Sequence, residues 1–249
     1  FQSWQPYAAL KTFTLDLSPA LSVTKVMVNG RRPASFRSSA GKLHITLAAA
    51  LPIASQYALA ATKQALADAD LAIDGQNCER IGIMMATGAA GAAVMEERAF
   101  QVLRAGWRVI EPHDLTNMLP SSVSTDVSLA TGARGPVMTH ALACASSLYS
   151  IVEGYHFLQR GEADAIVAGG VEAALTLISI AAFGRMGAMA ARTEDPPRAC
   201  RPFSVDRDGL IFGEGAAALV LETEEHARAR GATLLAEVLG GTPEQVENA

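Results

Sequence analysis

The residue best placed to do chemistry is Cys144, in the run Thr139-His140-Ala141-Leu142-Ala143-Cys144-Ala145-Ser146-Ser147-Leu148. An apolar, strand-like run over 137–144 stops there, and a helical pattern over 146–160 begins. The first turn of a helix directs unpaired N–H groups and a positive dipole end outward, which favours the thiolate, the nucleophilic form of cysteine. Ala143, Ala145 and Ser146 are small enough to leave a substrate room at the sulfur. The competing reading is a buried cysteine packed as a small hydrophobe, and residue type alone leaves both open. His140, four residues upstream, is within tempting reach as a base. Strand geometry aims it along the strand, away from the sulfur, so it reads as a satisfied core or edge histidine.

Other clusters carry less. Asp206, Arg207 and Asp208 read as an ion-pair and turn network. Gly213-Glu214-Gly215-Ala216 matches a lax dinucleotide fingerprint but leads into a strand-like run instead of opening a helix. Gly-x-Ser-x-Gly, Walker, His-Glu-x-x-His and Cys-x-x-Cys patterns are missing from the sequence, so hydrolase, nucleotide and zinc readings have no anchor.

The elements that must hold Cys144 follow from hydrophobic spacing. Helices are expected at 53–69, 94–104, 121–131, 146–160 (closed by Gly161) and 224–230. Strands are expected at 81–86, 137–144, 165–171, 216–222 and around 234–239. This alternation, with apolar strand runs, predicts an α/β layered fold whose sheet is covered by helices on both faces. Residues 1–50 form a separate, poorly patterned segment, with short strands expected at 24–28 and 43–47; residues 51–249 form the main domain.

Composition bounds the function. With 249 residues, 50% hydrophobic and 18% charged, the chain buries a sizeable core. Twenty basic against 25 acidic residues give a net charge of −5 without a like-charge block, which argues against nucleic-acid and polybasic membrane partners. The apolar stretches 45–61 and 165–182 are broken by Pro52 and Gln56, and by Gly169-Gly170 and Glu172, so neither is a membrane span. Three cysteines, Cys78, Cys144 and Cys200, make no disulfide framework and fit a reducing cytoplasm. Phe1 in place of an initiator Met points to a trimmed or partial chain.

Ala143-Cys144-Ala145-Ser146-Ser147, followed by Gly161-Glu162-Ala163-Asp164-Ala165-Ile166-Val167-Ala168-Gly169-Gly170-Val171-Glu172, resembles the β-ketoacyl-ACP synthase family. Arg201-Pro202-Phe203 through Asp208-Gly209 to Gly213-Glu214-Gly215-Ala216, then Glu225-His226-Ala227, is similar to that family's downstream signature. The likeness runs from about Ile53 to Gly240. It implies the N-terminal half of a thiolase-like fold, with a mixed sheet. It also implies an acyltransferase of fatty-acid or polyketide synthesis, which needs no cofactor or metal.

By the same resemblance, Cys144 is the nucleophile that takes an acyl group from a carrier thioester. The acyl-enzyme is then condensed decarboxylatively with malonyl-carrier protein. The backbone N–H of Cys144 is one oxyanion donor. Met95 and Phe183 line the acyl pocket, and Arg185 and Arg192 are the expected contacts for an acidic acyl carrier protein. The implied partners are that carrier, its acyl and malonyl thioesters, and a second copy or a second ketosynthase-like chain. The family takes two histidines and a lysine from a second, similar half. None of His44, His113, His140, His156 and His226 lies in the family's His-Gly-Thr setting. That departure keeps open an alternative, a non-catalytic ketosynthase-like partner; the retained Cys144 favours the enzyme.

Overall fold

The computed structural model describes residues 12–16, 35–39, 42–46, 51–191 and 195–241. Strands β1 (Thr12–Asp16), β2 (Ser35–Ser39) and β3 (Lys42–Thr46) form an antiparallel sheet with β3 in the middle. β3 starts one residue before the strand expected at 43–47, and the strand expected at 24–28 lies outside the described residues.

From residue 51 the chain opens with α1 (Ile53–Asp68), which buries Ala54, Ala58, Leu59 and Thr62 along one stripe. Its end is a Schellman closure: Asp70, at φ +50°, donates to Ala67 O, and Leu71 donates to Leu66 O. An aspartate tolerates the left-handed region better than most residues. Then follow β4 (Ile81–Ala86), α2 (Ala92–Ala105), the short α3 (Asp114–Asn117), α4 (Ser122–Thr131), β5 (Val137–Met138) and α5 (Ser146–Gln159). The chain continues through β6 (Ala165–Glu172), α6 (Leu177–Arg185), β7 (Gly215–Glu222) and α7 (Glu224–Ala229). As expected, α5 closes with Gly161 at φ +69° in the same Schellman arrangement.

The sheet order is β5-β4-β6-β7, with β5, β4 and β6 parallel and β7 antiparallel. Alternation along the central strands sorts the core. Ile81, Ile83, Met85, Ala165 and Val167 pack under α1 and α4, with Leu59, Val123 and Val127. Met84, Ile166 and Ala168 face α5, where Ile151, Phe157 and Leu158 meet Leu221 of β7. Helices therefore cover both faces of a mixed sheet, as the sequence predicts. Fully burying a side chain such as Leu59 contributes about 1.5–3 kcal/mol, so these two layers dominate the stability.

Two expected strands are corrected. The run 137–144 is a strand only at Val137–Met138, paired with Ile83 and Met84. Beyond it a single bond, Thr87 N–H to His140 O, holds the chain to β4 as it turns away toward α5. β5 is also exposed, not buried, because it has β4 on one side and no described strand on the other. The run 234–239 forms no strand: Leu235 is 92% exposed and Leu239 85%, and no other described strand lies beside it. A strand needs a hydrogen-bonding partner, and an apolar pattern does not provide one.

Two polar knots fix the periphery. Arg230 pairs with Glu222 through Nε (2.8 Å) and Nη2 (2.5 Å), while its Nη1 donates to Ala69 O (2.8 Å) and Asp70 O (3.0 Å). The loop ahead of β7 is organised by Arg201, which reaches Asp208 Oδ1 at 2.8 Å and Asp206 O at 2.8 Å. The cluster at 206–208 is thus a structural network, as read, with Arg201 as its centre.

Candidate active site

The carboxyl ends of the parallel strands bring the site together, the usual place for a site in α/β sheets. From the end of β4 come Thr87, Gly88 and Ala89, from the segment after β5 Ala143 and Cys144, and from the end of β6 Glu172. The carboxylate of Glu172 binds this end of the sheet: Oε2 accepts Gly88 N–H (3.0 Å) and Ala89 N–H (3.2 Å), and Oε1 accepts Ala173 N–H (3.2 Å). A Cβ on Gly88 would stand 2.7 Å from Glu172 Oε2 and 3.8 Å from Ala143 Cα, so the three segments touch.

Cys144 is exposed, in a single 3₁₀ turn (Ala143–Ala145) that runs directly into α5. The buried-hydrophobe reading is therefore set aside. Ala143, just before it, has φ +51°, a left-handed conformation rare in a residue with a Cβ. Ser146 spans this kink: its Oγ accepts Leu142 N–H at 2.7 Å and donates to Ala143 O at 2.6 Å. The N–H of Cys144 makes no hydrogen bond among the described residues. On the sheet side the turn is free to sit close because Gly170 has no side chain. A Cβ there would overlap Ser147 Oγ and lie 2.8 Å from Ser147 Cβ.

His140 is half-buried, and its Nδ1 lies 2.8 Å from Ser150 Oγ on α5. Burial pushes its pKa below the ordinary histidine value, against an opposing pull from the Glu153 carboxylate. A half-buried ring bonded to Ser150 and packed at a 60° tilt, 5.0 Å from the Tyr149 ring, is placed as a packing histidine, as read.

The other expected residues are placed as follows. Met95, in the first turn of α2, is 49% exposed. Phe183 lies on α6 with its ring 4.7 Å from that of Phe212, edge to face. Arg185, at the end of α6, is exposed and makes no ion pair among the described residues. Arg192 lies outside the described residues.

The structure joins α2 to α6 through a residue the sequence did not single out. Glu96 accepts Leu177 N–H at 2.9 Å and Ile178 N–H at 2.8 Å, capping α6 from outside. Ser146 and Glu96 both act by side-chain-to-backbone bonds, which leave no periodic trace in a sequence. Glu172 had a trace, a carboxylate ending an apolar strand.

A helix-covered mixed sheet with an exposed cysteine at the start of a helix, at the carboxyl end of the strands, is an arrangement consistent with a thiolase-like fold. The family model described as "Beta-ketoacyl synthase, N-terminal domain" matches residues 22–227, and the chain belongs to that family. It is 37% identical over 185 residues to "3-oxoacyl-[acyl-carrier-protein] synthase 2" of Vibrio cholerae serotype O1, covering 74% of this chain and 45% of that one. It is 39% identical over 186 residues to the protein of the same name from Staphylococcus aureus strain N315, covering 75% and 45%.

Among solved structures it is similar to a ketosynthase bound to a hexaketide and in complex with its type II PKS acyl-carrier protein (TM-score 0.68, 33% identity, 73% of this chain and 46% of that one). It is also similar to a β-ketoacyl synthase from Burkholderia phymatum STM815 (TM-score 0.65, 33% identity, 74% and 45%). The chain spans about half the length of the relatives it matches.

Proposed function

We propose that this protein is a β-ketoacyl-ACP synthase of fatty-acid or polyketide synthesis, and that Cys144 is its nucleophile. The observation that carries the reading is an exposed thiol at the head of α5, beside a backbone N–H left without a partner. The thiolate attacks the carbonyl carbon of an acyl thioester, and the carbonyl electron pair moves onto oxygen, where the Cys144 N–H meets it. Collapse expels the carrier's sulfur, which takes up the proton that the thiol gave up, and leaves acyl-Cys144. Family resemblance assigns the second step, condensation with malonyl-carrier protein as carbon dioxide leaves, to histidines of a second, similar half.

Met95 and Phe183 are proposed to contact the acyl chain, and Arg185 and Arg192 the carrier. The carrier is proposed from the similar ketosynthase found in complex with one. Partnering through a second copy or a ketosynthase-like chain is supported by α6, where Leu177, Ile178 and Met186, just beyond its end, are 48%, 65% and 73% exposed. The reducing cytoplasm is proposed as its compartment, where Cys78, Cys144 and Cys200 stay free. Among the described residues no helix is long and apolar enough to cross a membrane.

The test is to incubate the purified protein with an acyl-carrier protein thioester and map the acyl mass. Acyl-Cys144, lost in Cys144→Ala, is the expected result. Acylation elsewhere, or none, overturns the assignment. The 249-residue chain alone is expected to stop at acyl-Cys144 without releasing carbon dioxide from malonyl-carrier protein. Exchanging Arg185 and Arg192 for Glu is expected to weaken carrier binding and flatten its salt dependence. Unchanged binding at low salt removes both from the interface.

A further inference from the structure

We infer that Ser146 is a positioning residue that aims the Cys144 N–H at the oxyanion; this rests on the acyltransferase reading of Cys144. The argument begins with the peptide group between Ala143 and Cys144. A trans peptide is planar, and its C=O and N–H point in opposite directions. Whatever fixes the Ala143 carbonyl therefore fixes the direction of the Cys144 N–H. That carbonyl receives two donors from one residue: the Ser146 hydroxyl at 2.6 Å and the Ser146 backbone N–H. Both draw it toward α5, so the Cys144 N–H is turned the other way, out of the helix and without a partner.

The same hydroxyl accepts the N–H of Leu142 at 2.7 Å, so the residue between, Ala143, is clamped on both sides. Ala143 needs clamping. Its φ of +51° is a conformation that an L-residue with a Cβ leaves readily unless neighbours hold it. Ser146 itself is 2% exposed, so water does not replace its bonds if the hydroxyl is removed. Its side chain does not reach substrate in this account; it acts only through the peptide that it holds.

The distinction between holding the sulfur and holding the N–H gives the experiment. Attack on a thioester builds negative charge on the carbonyl oxygen and needs the N–H. Alkylation by iodoacetamide is a displacement at carbon, builds no such oxyanion and needs only the sulfur. The purified protein and its Ser146→Ala, Ser146→Thr and Ala143→Gly/Ser146→Ala variants are each offered an acyl thioester of N-acetylcysteamine and, separately, iodoacetamide. Peptide mapping follows Cys144, with the exposed Cys200 as internal reference.

In Ser146→Ala, the maximal acylation rate is expected to fall at least tenfold with an unchanged half-saturating thioester concentration, because a preorganised oxyanion donor is worth about 10² to 10³ in rate and is misaimed here, not removed. The ratio of Cys144 to Cys200 alkylation is expected to stay within about twofold. Ser146→Thr, which keeps the hydroxyl, is expected to retain acylation. Glycine at 143 frees the kink, and without the hydroxyl its carbonyl keeps only the backbone N–H of position 146, so the double variant is expected to acylate no better than Ser146→Ala.

Equal losses of acylation and alkylation show that Ser146 merely supports the cysteine, and overturn the role. So does acylation that Ser146→Ala leaves intact. If the unsubstituted protein is alkylated at Cys144 but not acylated there, the acyltransferase reading falls and this role with it.

Discussion

Replacing Gly170 by alanine tests whether α5 and the sheet meet as closely as the structure has them. Gly170 lies on β6 between Ala86 of β4 and Ala217 of β7, on the face that α5 covers. A Cβ there would overlap Ser147 Oγ and stand 2.8 Å from Ser147 Cβ, with Ala86 O at a tolerable 3.4 Å. The hydroxyl can rotate away; the Cβ cannot. Carbon atoms rest at about 3.5–4.0 Å, so the first turn of α5 must retreat by roughly 0.7–1.2 Å. Overpacking of this kind costs about 1–3 kcal/mol. In a domain of this size each kcal/mol lowers the midpoint by about 2–4 °C, giving a drop of about 2–12 °C in thermal unfolding followed by circular dichroism.

Cys144 precedes Ser147 by one helical turn and moves with it. A misplacement near 1 Å can cost up to about 10²-fold in rate, so acylation of Cys144 is expected to slow by about 10- to 100-fold. Ser147→Gly removes the clashing atoms at a helix-propensity cost of about 1 kcal/mol. The double variant is therefore expected to be more stable than the sum of the single effects predicts. A Gly170→Ala protein that melts within about 1 °C of the unsubstituted one, and acylates at its rate, refutes the close approach and the argument built on it.

Three further outcomes follow from other contacts. Asp164 is held below the usual carboxylate range by the Arg80 hydrogen bond, and Glu222 is held there because bonds from Arg230 and His226 outweigh the burial that would raise it. Such groups contribute stability above the unfolded carboxylate pKa and lose it as pH falls through the depressed folded value. The melting midpoint is thus expected to drop below about pH 4, less steeply in Arg230→Gln, whose midpoint at pH 7 is lower; an identical acid profile refutes this.

Asp126 runs the other way. Burial raises its pKa against the Ser55 hydroxyl, so ionising it as pH rises costs stability, and Asp126→Asn should raise the midpoint at pH 8 but not at pH 4. Glu96→Ala removes both bonds on the first turn of α6 and is expected to cost about 0.5–2 kcal/mol, with faster hydrogen exchange confined to α6. Slowed or unchanged exchange there counts against the cap.

The sequence was most readable where one physical signal acts alone. β4 falls on the expected 81–86 because a run buried on both faces is apolar throughout, and Arg80 and Thr87 bound it. The helix α5 was placed by its apolar spacing and by Gly161. The runs 137–144 and 234–239 carry the same apolar signal, but their state depends on whether a neighbouring strand offers hydrogen bonds, which composition does not encode. Cys144 was singled out as the end of an apolar run ahead of a helix and by family resemblance; the helix is there, but the strand stops at Met138. Ser146 and Glu96 were not, since a serine or glutamate bonded to backbone looks like any other polar residue until the chain is folded around it.

Arg230 has a consequence for the order in which the chain assembles. Its guanidinium holds the carbonyls of Ala69 and Asp70, in the turn that follows α1, from 161 and 160 residues further along the chain. The Schellman bonds close α1 itself, but these two carbonyls gain their side-chain donor only once β7 and α7 are in place. Closing a loop of that length is slow, because its entropy is lost before any contact returns it. The turn after α1 is therefore less tightly held in any intermediate that lacks β7, even with α1 itself wound. In the native protein, the turn after α1 and the end of α7 are joined into one opening unit, so their amides should exchange with solvent at a shared free energy.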